Sequence, residues 1–295
     1  MRNDCSIHRG VAQLPCINPR RIIRPLVPIG LLDLGYRLYE KRQEQVRRAR
    51  FEKLRSIVAS TVDAIQGLKP QRCSDIAFLE NELIPALGLN DGNLREQPAE
   101  LARYLGNGLH IWQYPNQLAR CLAWLSTNAK GIKCYMEIGC HWGGMFILIT
   151  EWLRKNGANL QNAIAVDPIE PTPFIDEYFK VLKNATTIQA TYVQDYSSSQ
   201  RVKDLVARLA PDFVFIDGDH ALKTALADHM LVRDCARIIV HHDICSHTCP
   251  DPAFLWSVLR KLEQEEFEFS EFVNQYESVT GSFLGIGTMK RRERY

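Results

Sequence analysis

A chain of 295 residues, 46% hydrophobic and 24% charged, is long enough to bury a sizeable core in one or two domains. Its formal net charge of only +2 supplies no global field for nucleic acid, so no such partner is expected. The nine cysteines are odd in number and fall inside strand-like and helix-like runs, as at Cys134, Cys140 and Cys235, which argues against a disulfide framework and for a reducing, cytoplasmic setting.

Residues 1–34 carry Pro15, Pro19, Pro25 and Pro28 and read as an extended arm. The run from Pro25 to Leu32 is too short and too proline-rich to span a membrane, and after Arg20-Arg21 it is too interrupted for an export signal. From Leu38 to Gln66 the spacing of Phe51, Leu54, Val58, Val62 and Ile65 predicts an amphipathic helix. Its other face is basic, with Arg37, Lys41, Arg42, Arg47, Arg48, Arg50, Lys53 and Arg55 close together, and a second basic cluster, Lys290 to Arg294, ends the chain. A solvated face is the primary reading, with peripheral contact to anionic lipid or polymer as the alternative. The apolar stripe must pack on the rest of the chain, on a second copy in a homo-oligomer, or on a membrane surface.

These features set an N-terminal unit at 1–70 and a helical cap region at 71–130, broken by the turn signals Gly88-Leu-Asn-Asp-Gly92 and Gly106-Asn-Gly108. Late in the cap, His110-Ile-Trp-Gln-Tyr-Pro-Asn-Gln117 mixes stacking faces with amides. It reads equally as a flap over a ligand and as a helix entry with aromatic plugs.

From Gly131 onward short apolar runs alternate with helical ones, the pattern of a parallel sheet. Strands are expected near Cys134–Ile138, Ala163–Val166, Thr187–Val193, Phe213–Ile216 and Ile238–His241, then an antiparallel pair, Glu266–Tyr276 and Ser282–Met289, after a helix from Ala253 to about Gln264. The fold class is therefore α/β: a doubly wound, Rossmann-like, mostly parallel seven-stranded sheet in 131–295, preceded by an N-terminal helical extension, with its ligand at the carboxyl edge.

The first strand ends in Tyr135-Met-Glu-Ile-Gly-Cys-His-Trp-Gly-Gly144, where an acid and clustered glycines precede a helix. Glycine serves where backbone turns tightly or approaches a ligand, and a helix start offers unpaired N–H groups. The spacing is neither the dinucleotide GxGxxG nor a phosphate-binding GK[ST] loop. Some thirty residues on, Ala163-Ile-Ala-Val-Asp167 ends in a carboxylate placed to accept ribose hydroxyls. Two further motifs follow, Pro211-Asp-Phe-Val-Phe-Ile-Asp-Gly-Asp-His220 and Arg237-Ile-Ile-Val-His-His-Asp-Ile244.

With these four motifs in order, the stretch from about Ile132 to Met289 resembles the class I S-adenosylmethionine-dependent methyltransferases. Within them it is similar to the branch of macrocin-type sugar O-methyltransferases and cephalosporin-hydroxylase-like proteins. The resemblance implies that Glu137, Gly139, Gly143 and Gly144 surround the methionine part of S-adenosylmethionine, that Asp167 holds its ribose, and that Asp195, after the third strand, lies near adenine. The acceptor it implies is a hydroxyl of a sugar or polyhydroxylated small molecule.

The densest chemistry is Asp217, Asp219, His220, His241, His242 and Asp243, at the ends of the fourth and fifth strands. Oxygen donors suit Mg²⁺ or Ca²⁺, and Asp217 and Asp243 are the leading ligands. His242 stands where metal-using relatives carry an acid, which either moves the preference from Mg²⁺ toward Mn²⁺, Fe²⁺ or Zn²⁺ or argues against a metal. His220 is the expected base, with Asp217 in the catalytic site beside it, since imidazole accepts a proton near neutral pH. Strand alternation should turn His241 into the core. Cys245-Ser-His-Thr-Cys249 lacks the second pair of a structural zinc site and reads as a lid loop. Two alternatives stand beside methyl transfer: a non-catalytic cofactor-binding protein recruited to glycan assembly, and a metal-dependent hydroxylase.

Overall fold

The computed structural model describes residues 56–91, 98–279 and 281–293. The extended arm, the basic segment from Arg37 to Arg55, Gly92 and Arg294 lie outside the described residues. The described chain begins with helix α1 (residues 56–66), in which Val58 and Ile65 are buried as the helical spacing predicts, while Val62 is half-buried and Thr61 takes the buried place beside it. Helix α2 runs through Ile76–Phe78, a π-helical stretch Leu79–Leu83, and Ile84–Leu87. Helix α3 is Pro115–Asn128.

The strands and helices of the α/β part then alternate: β1 Cys134–Ile138, α4 Gly144–Lys155, β2 Asn162–Asp167, α5 Pro173–Ala185, β3 Gln189–Gln194, α6 Gln200–Leu209 and β4 Phe213–Ile216. They continue with α7 Leu222–Val232, β5 Ile238–His242, α8 Pro250–Leu262, β6 Phe267–Phe272 and β7 Ile286–Arg291. The seven strands lie in the order β3-β2-β1-β4-β5-β7-β6. β1 to β5 pair in parallel, while β7 runs antiparallel between β5 and β6. This is the doubly wound, Rossmann-like sheet that the sequence predicts.

Several boundaries shift, among them β6, which ends at Phe272 rather than Tyr276, and two of the shifts have local reasons. The last strand starts at Ile286 rather than Ser282, because Gly281, Leu284 and Gly285 take φ of 84°, 56° and 101° and hold that stretch out of the ladder. The helix expected from Ala253 starts at Pro250, since proline's missing N–H costs nothing in a first turn.

Parallel strands covered on both faces read as near-continuous apolar runs, and β1, β4 and β5 are buried at every position, Glu137, His241 and His242 included. Met136 and Ile138 of β1 join Val202 and Leu205 of α6, Ala225 of α7, and Leu255 and Trp256 of α8 in one apolar cluster. On the opposite face Tyr135 stacks on Phe146 of α4 with ring centroids 5.5 Å apart. Trp152 of α4 donates to the Leu122 carbonyl of α3 at 2.8 Å. Gln66 donates to the fully buried Glu151 carboxylate at 2.7 Å, fastening α1 to α4. The winding reverses between β1 and β4, so their carboxyl ends open a crevice.

Candidate cofactor and metal site

The glycine turn leaves β1 into this crevice. Gly139 has φ of 84°, and a Cβ there would sit 2.1 Å from the Asp217 carbonyl oxygen, so the β1 and β4 ends approach closely only without a side chain. Gly143, at φ 85°, is the N-cap of α4 and faces Ile175 of α5, while a Cβ on Gly144 would meet the Leu109 carbonyl oxygen at 2.1 Å. Gly139 and Gly144 thus meet backbone that excludes a side chain, whereas Gly143 is required by its positive φ.

Asp167, at the end of β2, is nearly buried and does not cap α5, whose N-cap is Thr172. One of its carboxylate oxygens accepts from the His141 amide at 2.7 Å and the other from the Ile169 amide at 3.1 Å. It therefore ties the glycine turn to β2 with one lone pair per oxygen still open. Asp195 is half-buried; its carboxylate accepts from the Tyr196 amide at 2.8 Å, and its own amide donates to the Asp167 carbonyl at 3.1 Å.

Glu137 is fully buried, and burial pushes its carboxyl up to about 8, with Asp217 and Asp167 raising it further against a stabilising hydrogen bond from the Tyr135 hydroxyl. That hydroxyl was legible in principle, because residues two apart on a strand share a face. Three acids at the ends of β1, β2 and β4 thus feel one another, which makes the crevice favourable to a cation.

The stretch from His110 to Gln117 lies against the glycine turn. His110 meets Trp142 at a centroid distance of 4.7 Å, and Trp112 meets His141 at 5.6 Å. Gln113 is fully buried and donates from Nε2 to Asp217 Oδ2 at 3.1 Å. The stretch therefore packs its aromatic rings on the glycine turn, as the plug reading expects.

At the ends of β4 and β5 the structure brings together Asp217, His220, His242 and Asp243, and leaves Asp219 outside as an exposed acceptor for the Ala221 amide. His220 Nε2 lies 3.1 Å from Asp243 Oδ2 and 3.9 Å from Asp217 Oδ1. His242 Nδ1 lies 3.1 Å from Asp217 Oδ1 and 3.3 Å from Asp243 Oδ2, yet neither ring nitrogen is aligned for a hydrogen bond, and Asp243 Oδ1 is likewise buried without one. Burial opposes charge on Asp217, but the two histidines outweigh it and lower its carboxyl to about 2. Burial likewise opposes charge on His242, and the two carboxylates outweigh it, raising the imidazole to about 10.

His220 is held far above the ordinary imidazole range, by Asp217 first and then Asp243 and Cys249. An imidazole so held keeps its proton through neutral pH, so base work near pH 7 requires the two carboxylates to be neutralised. His241 turns the other way, into the core, where its Nε2 meets His229 Nδ1 at 3.1 Å and burial lowers it well below the ordinary value.

The Cys245–Cys249 loop splits. Cys245 Sγ bonds the Leu284 carbonyl at 3.1 Å and His247 Nδ1 the Ser282 carbonyl at 2.6 Å, whereas Cys249 Sγ turns inward to lie 3.4 Å from His220 Nδ1. The seven described cysteines are all free. Among the described residues no helix is long and apolar enough to cross a membrane.

No protein-family model matches the chain, and no curated protein does. Solved structures similar to it include an O-methyltransferase from Bacillus cereus in complex with SAH, at 12% identity and TM-score 0.43, covering 76% of this chain and 100% of that one. Another is the O-methyltransferase TomG from Streptomyces achromogenes, involved in tomaymycin synthesis and in complex with SAM, at 11% identity, TM-score 0.43 and the same coverages. An rRNA methylase from Streptococcus thermophilus matches at 11% identity and TM-score 0.40, over 58% of this chain and 93% of that one. Scores of this size bear on neither cofactor nor acceptor, and the functional reading rests on the side chains above.

Proposed function

We propose that the protein is an S-adenosylmethionine-dependent methyltransferase acting on a hydroxyl of a sugar or other polyhydroxylated small molecule. The observation that carries this reading is the trio Glu137, Asp167 and Asp217 around a glycine turn at the crevice where the sheet reverses. Buried acids there favour a positively charged ligand, and Asp167 has the spare lone pairs to accept two ribose hydroxyls. When bound, S-adenosylmethionine supplies a methyl group on a cationic sulfonium, open to in-line displacement by the acceptor oxygen.

Alignment of that oxygen is the main task left to the protein. Gln113 fixes Asp217, and His220 stands between Asp217 and Asp243, where a neutral imidazole could take the hydroxyl proton. Asp217, His242 and Asp243 would hold a divalent ion such as Mg²⁺ or Mn²⁺. The fit rests on their converging donor atoms and on buried His242 nitrogens and Asp243 Oδ1 that lack aligned partners. Such an ion supplies Lewis-acid polarisation and cancels the charge that keeps His220 protonated.

The test is calorimetric titration with S-adenosylmethionine, followed by a screen of glycosyl acceptors with and without Mg²⁺ or Mn²⁺. Binding followed by methylated product supports the reading, and absence of binding rejects it. Binding without turnover of any acceptor instead favours the cofactor-binding alternative. The hydroxylase alternative has one observation on its side, the two histidines His220 and His242 facing the single Asp243 carboxylate. Turnover that requires iron, oxygen and a co-substrate would establish it.

A further inference from the structure

Cys249 turns toward the site, and methyl transfer assigns it no work. It stands at the N-cap of α8, half-buried, with Sγ 3.4 Å from His220 Nδ1, while His220 Nε2 faces Asp243 Oδ2 at 3.1 Å. One donor atom each from Cys249, His220 and Asp243 lies within 4.8 Å of the others. The three come from different elements held in place together: the loop before α7, the end of β5 and the start of α8. The Leu222 amide donates to Asp251 Oδ2 at 2.9 Å, clasping the His220 loop to the first turn of α8. Asp243, at φ 59°, keeps Oδ1 buried with no partner.

We propose that Cys249, His220 and Asp243 form a sulfur-containing ligand set for Zn²⁺, and that this ion shuts the site by taking the imidazole away from the acceptor. Thiolate and imidazole are donors that suit Zn²⁺ and not Mg²⁺, the carboxylate serves either ion, and three protein ligands leave a fourth position open to water. Neighbouring ligands of a tetrahedral zinc stand about 3.2–3.7 Å apart, given bond lengths of about 2.0–2.3 Å. The two contacts of His220 are made by different ring nitrogens, Nδ1 to Cys249 at 3.4 Å and Nε2 to Asp243 at 3.1 Å, so either nitrogen already stands near that spacing from one partner, and one donor atom of each residue lies within 4.8 Å of the others. Closing on one ion requires turning an imidazole that is 32% exposed. The thiol proton leaves to solvent as the S–Zn bond forms. Asp243 belongs to both donor sets, so an oxygen-bound Mg²⁺ or Mn²⁺ and a sulfur-bound Zn²⁺ would compete for it. The inference deepens the proposed reading, since it names a regulator of that site and rests on His220 serving there.

Co²⁺ serves as the spectroscopic probe in the full-length protein. Wild type titrated with Co²⁺ should develop a near-ultraviolet thiolate-to-cobalt charge-transfer band. Cys249→Ser should lose it and bind Zn²⁺ about tenfold or more weaker by calorimetry, while Cys245→Ser keeps it. Serine is a good N-cap, so α8 should keep its start in the Cys249 variant, and an unchanged thermal melt checks this. Absence of the band in wild type, or its survival in a folded Cys249→Ser protein, overturns the proposal. S-adenosylmethionine titration of the same samples stands apart: failure there rejects the cofactor reading, while the cobalt band still decides the ligand set.

Discussion

Gln113 donates its side-chain amide to Asp217 across 3.1 Å, joining residues 104 positions apart and tying the His110–Gln117 stretch to an acid of the candidate site. Without that donor a half-buried carboxylate oxygen loses its partner. Gln113→Ala should therefore lower stability by about 1–3 kcal/mol and weaken divalent-metal binding, while S-adenosylmethionine affinity changes little. Denaturant melts and two calorimetric titrations check this, and undiminished metal affinity would remove Gln113 from the site.

The close approach of β1 and β4 makes Gly139 intolerant of any side chain. Gly139→Ala combines positive φ with a Cβ 2.1 Å from a carbonyl oxygen and should cost about 2–4 kcal/mol. Gly157, at φ 82° with nothing within 4 Å of a Cβ, is the control, and its alanine variant should cost only about 1 kcal/mol. Equal losses at the two positions would show that the contact with Asp217 carries no energy.

Asp167 is predicted to hold the ribose of the cofactor. Asp167→Ala should reduce S-adenosylmethionine affinity by about 2–4 kcal/mol, the scale of two hydrogen bonds to a charged acceptor. It should also lower the melting temperature, because the His141 and Ile169 amides lose their acceptor. Unchanged affinity in the folded variant would reject the assignment.

Glu137 gives a pH signature. Its folded carboxyl titrates near 8 against an ordinary value of 4.5, so between those values the folded state holds a proton that the unfolded state has released. Its contribution to stability is complete below about 4.5 and is lost as pH rises through 8. Glu137→Gln keeps a neutral group of the same shape able to accept from Tyr135, so stability should fall less steeply between pH 5 and 8 than in wild type, by about a few kcal/mol across the window. Parallel slopes in urea melts across that range would count against this placement of the carboxyl.

Metal and base are separable. Asp217→Asn and Asp243→Asn should each remove the activity that a chelator also removes; Asp243→Asn should leave cofactor binding largely intact, whereas Asp217→Asn also removes one of the three acids that favour the cationic cofactor and should weaken its binding modestly. His220→Ala should lower turnover by about a hundredfold or more, the scale of a general base, without abolishing cofactor binding. Full chelator-resistant activity in Asp243→Asn would reject the metal, and undiminished turnover in His220→Ala the base.

The alternation of strands and helices, the glycine turn and the acids closing β1, β2, β4 and β5 were legible in the sequence, because short apolar runs bounded by turn residues and the demand for glycine at tight turns act over a few residues. The sequence alone also turned His241 away from His242. What only the tertiary structure decided was which distant groups meet. Gln113 and Cys249 come from loops 136 positions apart in sequence, and no local pattern says that one reaches Asp217 while the other, rather than Cys245, reaches His220. Long-range packing also decided protonation. His220 alone is a base poised near neutral pH, but between Asp217 and Asp243 it is a cation, because two carboxylates brought together by neighbouring parallel strands outweigh the cost of burying its charge.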